Sequence, residues 1–258
     1  MSRIKEAFNT KKAFIGFLTA GDPSLEKTEE FIVAMADAGA SIIEIGIPFS
    51  DPIAEGKIVQ EANVRALSVP GGCTTDMIFE MVERVSKKVS VPLVFLTYLN
   101  PVFKYGYDRF CKRCKEVGID GLIIPDMPYE EKNELKPFAD ENDLDIISFI
   151  APSSIERIKM IAKDSSGYVY MVPSMDEEGE EASSNLDEIV KSVREVTDTP
   201  LVFGFKMNTV EQIAKKSAIV DGVIVDNSIV KLIEANGNDA GKYIHEYIKT
   251  VVERINRD

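Results

Sequence analysis

One carboxyl group stands inside an otherwise apolar stretch of the sequence. Glu44 lies within the run Ile42-Ile-Glu-Ile-Gly-Ile47, where a buried β-strand is expected. Side chains that can carry charge are rarely buried unless they are paired or have a function. Burial should raise the pKa of Glu44 toward neutrality, so that the side chain could both donate and accept a proton. The sequence therefore predicts general acid/base chemistry at this position.

The alternative interpretation of Glu44 is structural. The carboxylate could form a buried ion pair with a lysine or an arginine, an arrangement that occurs in proteins. The apolar runs expected to lie beside it contain no basic residue. This absence favours the acid/base interpretation.

Eight short apolar runs are predicted to be the strands that position this carboxyl. Amphipathic helical stretches separate them, and two helices are expected in the longest gap. Most runs are apolar throughout, which is typical of parallel strands covered on both faces. The pattern predicts one α/β domain over residues 1–258, a (β/α)8 TIM barrel with extra N-terminal and inserted helices, whose chemistry lies at the C-terminal ends of the strands. The predicted strands are Ala13–Leu18, Ile42–Ile47, Leu93–Thr97, Gly121–Ile124, Ile146–Ile150, Tyr168–Val172, Leu201–Phe203 and Gly222–Val225.

Composition narrows the class of protein. The 258 residues carry a formal net charge of −13, which would repel nucleic acid and anionic lipid. No stretch has the length of a signal-peptide core or a membrane span, so a cytoplasmic protein without membrane contact is expected. Cys111 and Cys114 are predicted to be packing residues of a helix rather than a redox or zinc pair. Neither a metal nor a cofactor is expected.

Several motifs around the predicted strands resemble those of tryptophan synthase α chains. The similarity extends from about Phe14 to Glu234. Several independent motifs occur in the right order, which chance does not explain. The matching motifs are Thr19-Ala-Gly-Asp-Pro23, Glu44-x-Gly46, Pro48-Phe-Ser-Asp-Pro52, Ala54-x-Gly56-x-x-x-Gln60, Tyr98-x-Asn-Pro-Val102, Gly121-x-x-x-Pro-Asp-x-Pro128 and Tyr168-x-Tyr170.

The resemblance implies a lyase of tryptophan biosynthesis. It would cleave indole-3-glycerol phosphate by a retro-aldol reaction into indole and glyceraldehyde 3-phosphate. Glu44 would be the acid/base, and Tyr170 would be a tyrosine beside it. Glu55 would be the carboxylate that stabilises positive charge on the indole nitrogen, at a position where the family carries an aspartate.

The resemblance also implies a substrate pocket and a partner. The apolar walls that hold the indole would be Phe17, Leu96, Ile123 and Phe205. The partner would be a tryptophan synthase β chain, contacted through Asp51, Asn100 and Pro128.

The expected phosphate-binding turns depart from the family pattern. Gly204-Phe-Lys206 stands where the family has Gly-Phe-Gly, and Asp226-Asn227 stands where it has Gly-Ser. An aspartate there adds a charge of the same sign as the phosphate. Lys206 and Asp226 should end adjacent strands, and an ion pair between them is expected.

The segment after the sixth strand departs as well. Pro173–Gly179 lacks the threonine that the family carries in its lid, and five acidic residues between Asp176 and Glu181 predict a mobile loop. Two functions therefore stay open at this point. One is a working lyase, and the other is an impaired member of the family that regulates a β chain or binds an uncharged indole-like ligand.

Overall fold

A parallel sheet forms the centre of the computed structural model, which describes residues 2–9, 11–151, 153–172, 186–204 and 209–257. Within these ranges the sheet has nine strand segments, and they fall on the apolar runs predicted from the sequence. The segments are β1 (Ala13–Thr19), β2 (Ile42–Gly46), β3 (Leu93–Leu96), β4 (Gly121–Ile123), β5 (Asp145–Ile146), β6 (Ser148–Ile150), β7 (Val169–Met171), β8 (Leu201–Gly204) and β9 (Gly222–Val225).

The sheet closes into a barrel through β5 and β6. The order of hydrogen-bonded neighbours is β5-β4-β3-β2-β1-β9-β8-β7-β6, and only Ile147 separates the two end segments in sequence. β5 pairs with β4, β6 pairs with β7, and the Ile147 N–H donates to the Leu122 carbonyl at 2.9 Å. The two segments are therefore halves of one strand, and the predicted (β/α)8 barrel is confirmed. The expected uninterrupted strand Ile146–Ile150 is wrong in detail, because each half pairs with a different neighbour and the break falls at Ile147.

Helices cover the outside of the barrel. Ser24 begins α2 as its N-cap by accepting a hydrogen bond from the Lys27 N–H, and Gly118 ends α6 in the left-handed conformation with φ 90°. The gap between β2 and β3 holds two helices, as expected. The helices are α1 (Arg3–Glu6), α2 (Leu25–Asp37), α3 (Lys57–Leu67), α4 (Thr75–Val85), α5 (Leu99–Tyr105), α6 (Tyr107–Val117), α7 (Lys132–Glu141), α8 (Ile155–Lys163), α9 (Leu186–Arg194), α10 (Val210–Ser217), α11 (Asn227–Asn236) and α12 (Ala240–Ile255).

Strand side chains alternate between the barrel interior and the layer under the helices. The outward-facing residues pack against the helices and form the larger core with them. Cys111 and Cys114 of α6 belong to this core and are buried and free, as predicted. The inward-facing residues form a second core, and because the alternation has a period of two, Glu44 shares the inward face of β2 with Ile42. This inner core contains Ile15, Ile42, Val94, Ile123, Val202 and Ile224.

The short helix α1 closes the floor of the barrel, at the N-terminal ends of the strands. Ile4 is fully buried in the inner core. The Arg3 guanidinium donates to both carboxylate oxygens of Asp120, at 2.8 and 2.9 Å, and the Ser2 hydroxyl bonds to Asp145. A Cβ on Gly121 would lie 2.7 Å from the end of the Ile4 side chain and 3.0 Å from the Asp145 carbonyl oxygen, so a larger residue would force Ile4 to shift.

No helix in the described part of the chain is long and apolar enough to cross a membrane. Nor do three or more of its histidine, cysteine, aspartate or glutamate side chains form a group that could hold a metal ion.

Candidate active site at the barrel mouth

Glu44 projects into the barrel near its mouth, the rim formed by the C-terminal ends of the strands. Its side chain is buried, with a relative exposure of 1%, which confirms the placement predicted from the sequence. The Tyr168 hydroxyl donates a hydrogen bond to Glu44 Oε1 at 2.5 Å. Burial raises the pKa of Glu44 to about 8, the hydrogen bond from Tyr168 opposes this rise, and the negative charge of Asp226 adds to it.

Within the described residues, the hydrogen-bond partner of Glu44 is Tyr168 and not a basic residue. Burial also raises the pKa of Tyr168 well above its ordinary value, so its hydroxyl keeps the proton that it donates. The sequence assigned the position beside the acid/base to Tyr170 and gave Tyr168 no role. The Tyr168-x-Tyr170 spacing did carry the signal, since residues two apart on a strand share one face.

Tyr170 lies beside this pair across the barrel interior. Its ring stacks on Phe149 with centroids 4.8 Å apart, and burial, together with the charge of Glu44, raises its pKa well above the ordinary value. A Cβ on Gly204, the last residue of β8, would lie 2.4 to 2.7 Å from atoms of the Tyr170 ring. Only glycine therefore lets Tyr170 occupy this position.

Glu55 follows β2 in the loop that leads to α3, and a buried asparagine holds its carboxylate. Asn63 Nδ2 donates to Glu55 Oε2 at 2.6 Å, and Asn63 Oδ1 accepts from the Phe49 N–H at 3.0 Å. Burial raises the pKa of Glu55 to about 7, the Asn63 hydrogen bond opposes this, and the charge of Asp226 adds to it. Sequence reasoning missed Asn63. A polar side chain on the buried face of α3 was the available signal.

The loop itself is fixed by an aromatic pair. The rings of Phe49 and Tyr98 stack with centroids 5.2 Å apart, and the Ala54 N–H donates to the Tyr98 hydroxyl at 3.1 Å. Tyr98 is only 1% exposed, so this contact ties the loop to the end of β3.

Three of the predicted apolar wall residues belong to the described chain. Phe17 is buried against α3 and α11 through Val59 and Val230, and Leu96 packs on the same cluster. Ile123 lies in the inner core. A Cβ on Gly46 would come within 2.7 Å of the Phe17 ring, so this glycine makes room for the wall. Phe205 lies outside the described residues.

Asp226 directly follows β9 and is the N-cap of α11. It is half-buried, and the Asn227 N–H donates to its Oδ1 at 2.5 Å. Burial raises the pKa of Asp226, while backbone N–H groups of Asn227 and of Asp226 itself oppose the rise.

β8 and β9 are neighbours as expected. Lys206 lies outside the described residues, so its ion pair with Asp226 stays a prediction, as does the mobility of 173–184.

Glu44, Glu55 and Asp226, which we term the mouth carboxyls, come from three different parts of the chain, and Asp226 acts on both glutamates. The charge of Asp226 raises the pKa of both glutamates. Two carboxyls whose pKa values lie near neutrality can be present as one acid and one base. The arrangement can therefore move a proton and stabilise positive charge on a ligand between these groups.

The residues predicted to contact a partner are all exposed on the rim. Asp51, Asn100 and Pro128 follow β2, β3 and β4, which are consecutive in the sheet. Two large apolar side chains of the same segments are also exposed, Ile53 in the loop after β2 at 74% and Phe103 in α5 at 68%. This surface, the β2–β4 rim, combines polar and apolar groups on one side of the mouth.

Comparisons with known proteins agree on one family. The family model described as tryptophan synthase alpha chain matches residues 3–256. The tryptophan synthase alpha chain of Lacticaseibacillus casei is 43% identical over 253 residues, which cover 97% of this chain and 94% of that protein. The alpha chain of Alkaliphilus metalliredigens is 42% identical over 247 residues, covering 95% and 91%.

Solved structures agree with the sequences. The tryptophan synthase alpha chain of Legionella pneumophila superposes with a TM-score of 0.88 at 30% identity, covering 99% of this chain and 97% of that one. A chain of the tryptophan synthase α2β2 complex of Pyrococcus furiosus superposes with a TM-score of 0.83 at 29% identity, covering 94% and 98%. The chain therefore belongs to the tryptophan synthase alpha chain family.

Proposed function

We propose that this chain is a lyase of tryptophan biosynthesis that cleaves indole-3-glycerol phosphate into indole and glyceraldehyde 3-phosphate. The observation that carries the proposal is Glu44, a buried carboxyl at the barrel mouth that is held by Tyr168 and has a pKa of about 8. The retro-aldol reaction breaks the carbon–carbon bond between the indole ring and the glycerol chain. The ring carbon gains a proton, and the hydroxyl of the adjacent chain carbon loses one as it becomes an aldehyde.

Glu44 supplies the first proton in this proposal. At neutral pH most of its carboxyl is protonated, so it can deliver a proton to the ring carbon, and the carboxylate that results can then accept the hydroxyl proton. The proton balance closes within one turnover. Glu44 is buried, and burial strengthens each electrostatic interaction there.

Glu55 acts on the indole nitrogen. Positive charge develops there when the ring carbon is protonated, and an anionic carboxylate lowers the energy of that state. Asn63 is a positioning residue in this scheme, since its amide fixes both the loop and the Glu55 carboxylate. Phe17, Leu96 and Ile123 form apolar walls for the indole.

The test is a measurement of indole release from indole-3-glycerol phosphate by the purified chain, alone and with its cognate β chain. We expect indole and glyceraldehyde 3-phosphate in equal amounts, with a rate that is proportional to enzyme concentration. If neither condition gives indole above the rate without enzyme, the lyase assignment is wrong and the impaired-member alternative is favoured.

We also propose that the cognate β chain of tryptophan synthase binds at the β2–β4 rim. Support comes from the similarity to a chain of the Pyrococcus furiosus α2β2 complex and from the exposed polar and apolar side chains of this rim. Replacing Asp51 with alanine should weaken the complex about tenfold or more by calorimetry, because partially buried polar contacts at interfaces contribute 1–3 kcal/mol. The control is Asp140→Ala at the end of α7, which should leave the affinity unchanged. Equal affinities for both variants would remove Asp51 from the interface.

A further inference from the structure

Two buried threonine hydroxyls have no hydrogen-bond partner among the described residues. They belong to Thr19 and Thr97, whose relative exposures are 1% and 0%. Burying a polar group without a partner destabilises a folded chain, so such groups are few and each one needs a reason. The reason can differ between these two, because the side chains face opposite sides of the barrel wall.

Thr19 is the last residue of β1, and its side chain faces the barrel interior at the mouth. Ile15 and Phe17 of the same strand belong to the inward-facing clusters. Leu18 and Ala20 lie in the outer core. Because side chains alternate along a strand, Thr19 continues the inward face above Phe17.

The register of β1 and β2 places Thr19 close to the proposed acid. Phe17 pairs with Glu44, and Thr19 pairs with Gly46, one inward-facing position nearer the mouth. Gly46 has no side chain that could cover or bind the hydroxyl. Glu44 is as buried as Thr19, at 1%, so a substrate that reaches the acid must open the part of the mouth that lies beside Thr19.

Thr97 points the other way. Its N–H donates to the Ile123 carbonyl at 2.9 Å, which extends the pairing of β3 with β4 by one residue. Phe95 lies in the outer core, and Leu96 packs on the inner one, so Thr97 faces outward, toward the layer under the helices. The two hydroxyls are therefore alike in burial and in lacking a partner, but only that of Thr19 faces the mouth.

We infer that Thr19 binds the free hydroxyl of the substrate's glycerol chain, the one that takes no part in the bond cleavage. The inference rests on the proposed function, in which Glu44 meets the reacting hydroxyl and Glu55 meets the indole nitrogen. A threonine hydroxyl is uncharged and can both donate to and accept from an alcohol, so it suits this remaining group. A site group that gains its hydrogen bond only from the substrate discriminates against chains that lack the hydroxyl.

The test compares indole-3-glycerol phosphate with the analogue that lacks only the free hydroxyl. The analogue keeps the reacting hydroxyl, so the same carbon–carbon bond can break, and the measured quantity is the ratio of the two kcat/KM values. Thr19→Val replaces the hydroxyl with a methyl group of similar size. We expect this variant to lower the ratio about tenfold or more, because the substrate hydroxyl is left without a partner.

Two further variants serve as controls. Thr19→Ser keeps the hydroxyl, and Thr97→Val removes the unpaired hydroxyl that faces outward, so both should hold the ratio within about threefold of the unaltered protein. Both valine variants should unfold at the same temperature as the unaltered protein or at a higher one, because each loses an unpaired buried group. A folded Thr19→Val variant whose ratio changes by less than about threefold would overturn the inference.

Calorimetry separates this inference from the lyase assignment. If the unaltered protein cleaves neither compound, the proposed function is wrong, but both compounds then remain intact and their binding can be measured directly. We expect Thr19→Val to weaken binding of indole-3-glycerol phosphate about tenfold or more and to leave binding of the analogue unchanged. An equal loss for both compounds, no loss for either, or no binding of either to the unaltered protein would contradict a role of Thr19 in recognising the hydroxyl.

Discussion

Replacing Glu44 with glutamine should lower the rate of indole release by about 10²- to 10⁴-fold, the usual contribution of a general acid/base. Glutamine has nearly the shape of the protonated carboxyl and can still accept the hydrogen bond from Tyr168, but it cannot deliver a proton. Steady-state measurements of kcat and KM should show the loss in kcat, because the side chain acts on the reacting atoms. More than a tenth of the original rate in Glu44→Gln would remove Glu44 from the chemistry.

Tyr168→Phe is the matched control for this prediction. It keeps the carboxyl but removes the hydrogen bond that lowers the pKa of Glu44. Since the protonated form of Glu44 is the acid, kcat/KM should fall as the pH rises through its pKa of about 8. The variant should stay active, and its decline should occur at a higher pH. An unchanged pH profile would mean that this hydrogen bond does not act on the acid.

The same substitution, Glu44→Gln, should make the protein more stable at alkaline pH. The folded-state pKa of Glu44 is raised from 4.5 to about 8. Below pH 4.5 the carboxyl is protonated in both states and costs nothing. Between these two values the folded chain holds a proton that the unfolded chain has lost, so the free energy of unfolding falls as the pH rises. Above pH 8 the full penalty, about 5 kcal/mol, is present in the native protein and absent from the variant.

Urea denaturation at pH 5 and pH 9 measures this difference. The free energy of unfolding of Glu44→Gln should exceed that of the unaltered protein by several kcal/mol at pH 9 and by little at pH 5. Glu55→Gln should show a smaller gap, because Glu55 is only partly buried and its pKa is about 7. A gap for Glu44→Gln that is the same at both pH values would show that the buried carboxyl does not ionise at a cost.

The strands could be predicted from the sequence because parallel barrel strands are covered on both faces and are therefore apolar throughout. The break at Ile147 could not be predicted from the sequence. It depends on which neighbour each half of the strand pairs with, and this pairing is fixed only when the barrel closes. In the same way, the sequence indicated an N-terminal helix but not that Ile4 enters the barrel.

The site was partly predictable for a related reason. Glu44 could be identified because a carboxyl in an apolar strand departs from its local surroundings. The roles of Tyr168 and Asn63 depend on hydrogen bonds across the fold, and the Tyr168–Glu44 bond joins residues 124 positions apart. No local pattern reports such a pairing. Lys206 and Phe205 lie outside the described residues, and their predicted roles stay predictions.

The floor of the barrel has a consequence for how the chain is made. The residues of α1 are synthesised before the strands that they contact, since Ile4 packs near Gly121, and the ring of Phe8 lies 3.1 Å from where a Cβ on Gly222 would be. Position 222 is translated long after position 8. At 5–20 residues per second, α1 must wait roughly 10 to 45 s before its binding site is complete. During that time Ile4 and Phe8 lack these native contacts, so we expect the growing polypeptide to present an apolar segment to chaperones until β9 is translated.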